Sequence, residues 1–195
     1  MFAYEKACLN TVYTHHISFT EAASTTSTSV NMKSVFIITI AFGKSVALSS
    51  VYQLKATGEF LIGHFAVDGV YRPPADNERL SIAHTRNEVN PWLRVDLEQV
   101  HCIWAVRVLN RGDSPARDVY ERLRDVIVTV SILEDQLFYS NNPDSLCGQR
   151  EGILDQFFTT ITCAQAMKAQ FVQLQLMGHT NLNIYEFEVH GFANK

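Results

Sequence analysis

Residues 90–97 read Asn-Pro-Trp-Leu-Arg-Val-Asp-Leu, and the alternation in this stretch decides its local structure. Two leucines and a valine alternate with the charged Arg94 and Asp96. A period of two is typical of a β-strand that buries one face and leaves the other polar. The stretch therefore predicts a strand, and loop residues that bracket it are expected to meet at one end of a sheet.

The same alternation recurs along most of the chain. The apolar positions of the further predicted strands are Trp104, Val106 and Val108; Val126, Val128, Val130 and Ile132; Val172, Leu174 and Leu176; Tyr185, Phe187 and Val189; and a first strand within Val46 to Tyr52. Gly, Pro, Asn and Asp separate these runs, which predicts an all-β protein built as an antiparallel sandwich or barrel. Short helical turns are expected only within 60–67 and 151–158.

The N-terminal part differs in composition from the remainder. Residues 24–29 are all Ser or Thr, and residues 32–40 place a lysine before an apolar run, as in a secretory signal. We therefore expect residues 1–37 to be a disordered or signal-like extension, and residues 38–195 to form the folded domain.

Charge and hydropathy exclude two classes of partner. The formal net charge is −4, and no block of Lys and Arg occurs, so nucleic acid is not expected as a partner. No apolar run approaches the roughly 20 residues that a membrane span needs. A chain of 195 residues is long enough to bury one substantial core.

The four cysteines leave two readings open. Cys147 lies in a loop-like stretch and Cys163 ends a β-rich run, so they form either a loop-closing disulfide or two buried free thiols. Cys102 lies within an apolar strand and is expected to be a small buried hydrophobe.

A histidine and arginines lie in the loops around the strand at 92–97. His84 precedes this strand, and Arg111-Gly112-Asp113 follows the next one. No nucleophile elbow, His-Glu-x-x-His sequence or glycine-rich phosphate loop accompanies them. A cluster of hydrogen-bond donors without a nucleophile or paired carboxylates favours a binding site for a hydroxyl-rich or anionic ligand, so we do not expect an enzyme.

Five segments in the same order resemble the F-type lectins, or fucolectins, which are related to discoidin and coagulation-factor C-type domains. The segments are 43–50 (Gly-Lys-Ser-Val-Ala-Leu-Ser-Ser), 66–69 (Ala-Val-Asp-Gly), 81–85 (Ser-Ile-Ala-His-Thr), 91–97, and 185–191 (Tyr-Glu-Phe-Glu-Val-His-Gly). The resemblance covers about 42–192. It implies an antiparallel β-sandwich of the jelly-roll type that binds L-fucose or fucosylated glycans.

The resemblance also implies a sugar-binding set. The family motif is a His, 26 residues, Arg-x-Asp, four residues and a basic residue, which His84, Arg111 and Asp113 match. The last position holds Asp118, so the third basic residue is Arg117 or, as we favour, Arg122 after an insertion within 114–121. Ser114-Pro115 stands where many members have two cysteines. An apolar wall for the sugar's methyl group is sought at Tyr71, Pro73 and Pro74.

A structural calcium ion and a disulfide are implied in the same way. The expected calcium ligands are the side chains of Asp68, Ser81 and Glu186 and main-chain carbonyls around Phe65, Val70 and Tyr185. Cys147 and Cys163 match one disulfide of the family, and the other falls at Ile82 and Tyr185, where an apolar contact is expected instead. The disulfide is in keeping with a secreted protein.

These expectations describe a secreted lectin in innate immune recognition or in cell or gamete recognition, in which oligomers add avidity to weak single sites. The alternative is a discoidin-like module that binds protein or phospholipid and carries a degenerate sugar site.

Overall fold

The computed structural model describes Cys8 and residues 39–71, 82–112, 119–135, 143–154 and 157–193. The chain divides into two units, Met1–Ile38 and Thr39–Lys195. In the first unit only Cys8 is described; it lies in a helix and is disulfide-bonded. The disorder predicted for 1–37 therefore falls outside the described residues and stays a prediction.

The second unit consists of strands joined by turns, as the alternation predicted. The strands are β1 Ser45–Leu48, β2 Tyr52–Gln53, β3 Phe60–Leu61, β4 Ala83–His84, β5 Glu88–Val89, β6 Trp92–Asn110, β7 Arg124–Ser131, β8 Leu146–Ile153, β9 Phe158–Leu176, β10 His179–Thr180 and β11 Asn183–Ala193. Single turns of 3-10 helix occupy Gly63–Ala66, Tyr120–Arg122 and Pro143–Ser145.

The main sheet runs in the order β4-β11-β6-β9-β7-β8, with β1 also paired to β6, and all its pairings are antiparallel. The first part of β6 lies between β1 and β9, and its second part lies between β11 and β9. Register shifts between Asp96 and His101 and between Ile103 and Ala105 separate the two parts. Bulges of this kind let one long strand contribute to both layers of a sandwich.

The core is filled by the predicted inward faces. Leu93, Val95, Val172 and Leu174 are 0% exposed, as is Phe187 of β11. The antiparallel β-sandwich of the jelly-roll type is therefore confirmed.

Several boundaries differ from the prediction. The runs at 93–97 and 104–108 are parts of one strand, because paired neighbours carry β6 through the intervening bulge. The first predicted strand is two, β1 and β2. Ile132 lies beyond the end of β7 and is 41% exposed. Within 60–67 the expected turn is present as Gly63–Ala66, whereas within 151–158 the strand β8 continues to Ile153.

The cysteines give one confirmation and one correction. Cys147 of β8 and Cys163 of β9 form the expected disulfide. Cys102 is buried, as expected, but it is disulfide-bonded, so the expectation of a simple buried hydrophobe is wrong. Alternation reports that a side chain is buried and carries no information on whether its sulfur is oxidised. Ile82 and Tyr185 share one buried apolar cluster, in place of the family's other disulfide.

Candidate functional site

Three neighbouring strands bring the candidate residues to one edge of the sheet. Strand β4 ends at His84, β11 begins at Asn183 and β6 ends at Asn110. Asn183 is paired with His84, and Ile184 with Asn110. Because antiparallel neighbours alternate in direction, the residues that follow β4, precede β11 and follow β6 all collect at this edge.

A pocket of about 370 Å³ lies at this edge. Its polar lining residues are His84, Arg111, Arg122 and Asn181, and its apolar ones are Tyr52, Leu54 and Leu61. The structure thus brings together three of the four residues predicted for the sugar site, including Arg122 as the favoured third basic residue. Asp113, the alternative Arg117 and most of the loop 114–121 lie outside the described residues.

Arg122 reaches the pocket from a turn that is held by Asn110. The Nδ2 group of Asn110 donates to the carbonyl oxygens of Tyr120 at 2.9 Å and Leu154 at 3.2 Å. Asn110 is 1% exposed, so both bonds are shielded from water. The last residue of β6 therefore fixes the 3-10 turn that carries Arg122 beside Arg111.

His84 enters the pocket as a neutral ring. Burial, together with the charges of Arg111 and Arg122, lowers the His84 pKa to about 4, and the hydrogen bond to the Thr85 carbonyl offsets this only in part. The Nδ1 atom lies 2.5 Å from the Thr85 carbonyl oxygen, which only accepts hydrogen bonds, so Nδ1 carries the proton. In the neutral ring Nε2 is then an acceptor. The expectation that both imidazole and guanidinium donate is corrected here, since only the guanidinium groups do.

The apolar wall of the pocket comes from a segment that the sequence did not single out. Tyr52 stacks on the His84 ring with 4.7 Å between ring centroids. Leu54 and Leu61 belong to the second apolar cluster of the domain, which has its own buried residues beneath the pocket. Tyr71, sought as a wall residue, is instead 47% exposed, packs against Phe158 and does not line the pocket. Pro73 and Pro74 lie outside the described residues.

The segment that carries this wall is anchored by Glu88. Its Oε1 atom accepts from the hydroxyls of Ser49 at 2.6 Å and Ser50 at 2.7 Å. The Nε group of Arg86 donates to the Val51 carbonyl at 3.2 Å. Strand β5 and the turn before it therefore hold the chain just ahead of Tyr52. The short β2 and β3 strands have no extended alternation, so the residue pattern alone did not indicate this wall.

A second polar feature concerns the residues predicted to hold calcium. Glu186 is 0% exposed, and within the described residues its two carboxylate oxygens lack a well-formed hydrogen bond, since the Gly69 amide offers only a weak one. Burial and then the charge of Asp68 raise the Glu186 pKa to about 8, which the Gly69 amide offsets only in part. Burial also raises the pKa of Asp68. Two neighbouring carboxyls with this much unsatisfied acceptor capacity fit a cation between them.

Only some of the other expected calcium ligands belong to the described part of the chain. Asp68 Oδ1 accepts the Val70 amide at 2.9 Å, which forms the turn after the Gly63–Ala66 helix. Ser81 lies outside the described residues. In the part of the chain that the structure describes, no three His, Cys, Asp or Glu side chains are placed so that together they could hold a metal ion. Main-chain carbonyls such as those of Phe65, Val70 and Tyr185 are therefore needed to complete a calcium shell.

The fold and the site define a member of the coagulation-factor F5/F8 type C class. Residues 65–174 match the family model described as the NedA-like, galactose-binding domain, and the chain belongs to this family. The resemblance to F-type lectins is also confirmed. Fucolectin-1 of Anguilla japonica is 31% identical over 126 residues, which are 65% of this chain and 66% of that protein. The chain thus spans just under two thirds of this relative.

Solved structures agree with the assignment. A fucolectin from the serum of Morone saxatilis, the striped bass, superposes with a TM-score of 0.63 at 26% identity, over 78% of this chain and 48% of that one. The lectin domain of lectinolysin, complexed with Lewis B antigen, gives 0.58 at 26% identity, over 78% and 95%. These relatives are lectins or lectin domains, in keeping with the prediction of a binding protein and not an enzyme. No helix of the described residues is long and apolar enough to cross a membrane.

Proposed function

We propose that this protein is a lectin that binds L-fucose or fucosylated glycans in the pocket at the edge of β4, β11 and β6. The observation that carries the proposal is the convergence of Arg111, Arg122 and a neutral His84 over an apolar wall. Asp113 is proposed to orient an arginine of this set. The Lewis B complex of lectinolysin and the fucolectin relatives support the same ligand class.

The pocket offers complementary hydrogen-bonding groups to a sugar ring. The guanidinium groups of Arg111 and Arg122 donate in a fixed fork, and Nε2 of His84 accepts from a hydroxyl. Fucose presents an axial 4-hydroxyl, neighbouring hydroxyls and a ring oxygen, which use both kinds of group. Its methyl group would pack on the wall formed by Tyr52, Leu54 and Leu61. The wall is therefore the part of the pocket that distinguishes fucose from a galactose-like sugar.

Calcium is proposed as a structural ion held by Asp68 and Glu186, with Ser81 and the carbonyls around Phe65, Val70 and Tyr185. The support is the buried Glu186 carboxylate, which lacks a well-formed hydrogen bond among the described residues. A divalent cation there would neutralise this buried carboxylate and the half-buried one of Asp68, and would tie the turn after Gly63–Ala66 to β11. Because β11 also runs between the strands of His84 and Arg111, the ion would stabilise the edge that bears the pocket.

A single shallow site binds one sugar weakly, at roughly millimolar to tens of micromolar Kd, or about −4 to −6 kcal/mol. Several sites on a homo-oligomer would then supply avidity for a glycan surface. Secretion is proposed because disulfides persist in oxidising compartments, and Cys147–Cys163 is one of them. A secreted fucose-binding lectin suits innate immune recognition or cell or gamete recognition.

The test is a glycan array probed with the protein in calcium and competed with free L-fucose. We expect binding to fucosylated glycans that free fucose abolishes. His84→Ala and Arg111→Ala should lose this binding while the proteins stay folded, and Arg124→Ala, an exposed arginine that does not line the pocket, serves as the matched control. A blank array from folded, calcium-loaded protein would refute the proposal and favour a discoidin-like module for protein or phospholipid.

A further inference from the structure

We propose that Asn181 is a fourth ligand-binding residue of the pocket and contacts two hydroxyls of the same sugar ring through its side-chain amide. The inference rests on the proposed fucose-binding function and goes beyond the His-Arg-Asp-basic motif, in which Asn181 has no place. Its grounds are the position of Asn181 in the sheet, the rigid support of its backbone and the unused hydrogen-bonding capacity of its side chain.

The sheet topology places Asn181 between the motif residues. It stands just ahead of β11, and β11 lies between β4 and β6 in the sheet order β4-β11-β6. His84 ends β4, and Arg111 directly follows β6. The chain entering β11 therefore passes between the segments that carry the histidine and the first arginine. Asn181 lines the same pocket as both, so its side chain is within reach of a ligand that contacts them.

The backbone beside Asn181 is tied to the histidine segment by two hydrogen bonds. The Thr85 amide donates to the Leu182 carbonyl at 2.9 Å, and the Leu182 amide donates to the Thr85 hydroxyl at 2.9 Å. Thr85 is 0% exposed, and its own carbonyl accepts the Nδ1 proton of His84. One buried threonine thus holds both the His84 ring and the backbone next to Asn181, so the backbone of Asn181 is fixed relative to the histidine.

The Asn181 side chain has hydrogen-bonding groups available for a ligand. It is half-buried, and its amide makes no hydrogen bond with any part of the chain that the structure describes. An amide presents an NH₂ donor and a carbonyl acceptor side by side. Vicinal hydroxyls of a pyranose offer the matching pair, one accepting and one donating. The two arginines only donate and His84 offers Nε2 as an acceptor, whereas the Asn181 amide can donate to one hydroxyl and accept from its neighbour.

The experiment measures L-fucose and its 2-, 3- and 4-deoxy analogues by titration calorimetry with the full chain in calcium. The variants are Asn181→Ala and Asn181→Asp, the second of which keeps the shape and removes the NH₂ donor. His179→Ala is the control, because His179 lies two residues away, is exposed and does not line the pocket. We expect both Asn181 variants to bind fucose about tenfold more weakly, a change of about 1.4 kcal/mol, and the control to bind within about twofold of wild type.

The deoxy analogues separate a direct contact from a loss of shape. If Asn181 contacts a hydroxyl, wild type prefers fucose over the analogue that lacks it, and Asn181→Ala loses that preference. Unchanged fucose binding by both variants would overturn the inference, as would an equal loss for fucose and every analogue, since a distorted pocket gives that result. Wild-type protein that binds no fucose at all would instead refute the proposed function, and the inference with it.

Discussion

Acidification should destabilise this protein through His84. The His84 pKa lies near 4 in the folded state, against 6.5 for the unperturbed ring, because burial disfavours the charged form. The unfolded chain therefore binds a proton that the folded chain does not, and folding stability falls as pH drops from about 6.5 towards 4. Above pH 6.5 the ring is neutral in both states, and His84 adds no pH dependence.

The magnitude follows from the size of the pKa shift. A depression from 6.5 to about 4 is worth about 3 kcal/mol when complete, at 1.36 kcal/mol per unit, and about 2 kcal/mol is already lost at pH 5. Replacing the ring with the neutral side chain of Gln in His84→Gln removes this contribution. We expect the variant to lose about 2 kcal/mol less stability than wild type between pH 7 and pH 5.

The assay is urea unfolding of both proteins at pH 7 and pH 5, in equal and saturating calcium. For each protein we take the loss of unfolding free energy between pH 7 and pH 5, and then compare the two losses. This comparison removes the contribution of titrating groups that both proteins share. One of them is His101, whose pKa is also lowered by burial. Equal losses in the two proteins would refute the argument that His84 is neutral. Fucose affinity of wild type should also stay nearly constant from pH 7 to pH 6, whereas a donating imidazolium would gain affinity on acidification.

Three further predictions concern the supports of the site. Chelation should lower the Tm of wild type, and Asp68→Ala should melt like the chelated protein with or without calcium; identical melts with and without the ion would remove calcium from the proposal. Asn110→Ala loses two buried hydrogen bonds, so we expect about 2 kcal/mol less stability in urea unfolding and weaker fucose binding through Arg122; wild-type affinity would contradict the role given to Asn110. Replacing both Cys147 and Cys163 with Ser opens a disulfide with a sequence separation of 16 and should cost about 3 kcal/mol in the same assay, and a loss below about 0.5 kcal/mol would show that this bridge adds little.

The period-two alternation of the sequence predicted much of the fold. Leu93, Val95 and Val172 are buried where alternation placed them, because a strand sends successive side chains to opposite faces whatever lies next to it. The same logic failed at strand ends. Alternation could not show that the runs before and after the bulge at 96–101 form one strand, since the continuity of β6 depends on its pairing with β9.

The sequence likewise predicted some residues of the candidate site and missed others. Motif spacing pointed to His84 and Arg111, and Arg122 was favoured by assuming an insertion within 114–121; the structure places all three in one pocket. It offered no signal for Tyr52 or Asn181, which lie far from the motif along the chain. These residues reach the pocket through non-local pairing, and a single sequence does not encode that pairing in any short pattern.

The amino-acid sequence by itself determined the strand pattern, the order of the family-like segments and the identity of the basic residues, because each depends on residue type and short-range spacing. Only the tertiary structure decided which groups meet and what chemical state they hold. Burial and two nearby arginines make His84 a neutral acceptor, and burial beside Asp68 raises the pKa of the Glu186 carboxyl. Desolvation and long-range charge act through space, so they arise when distant segments fold against one another.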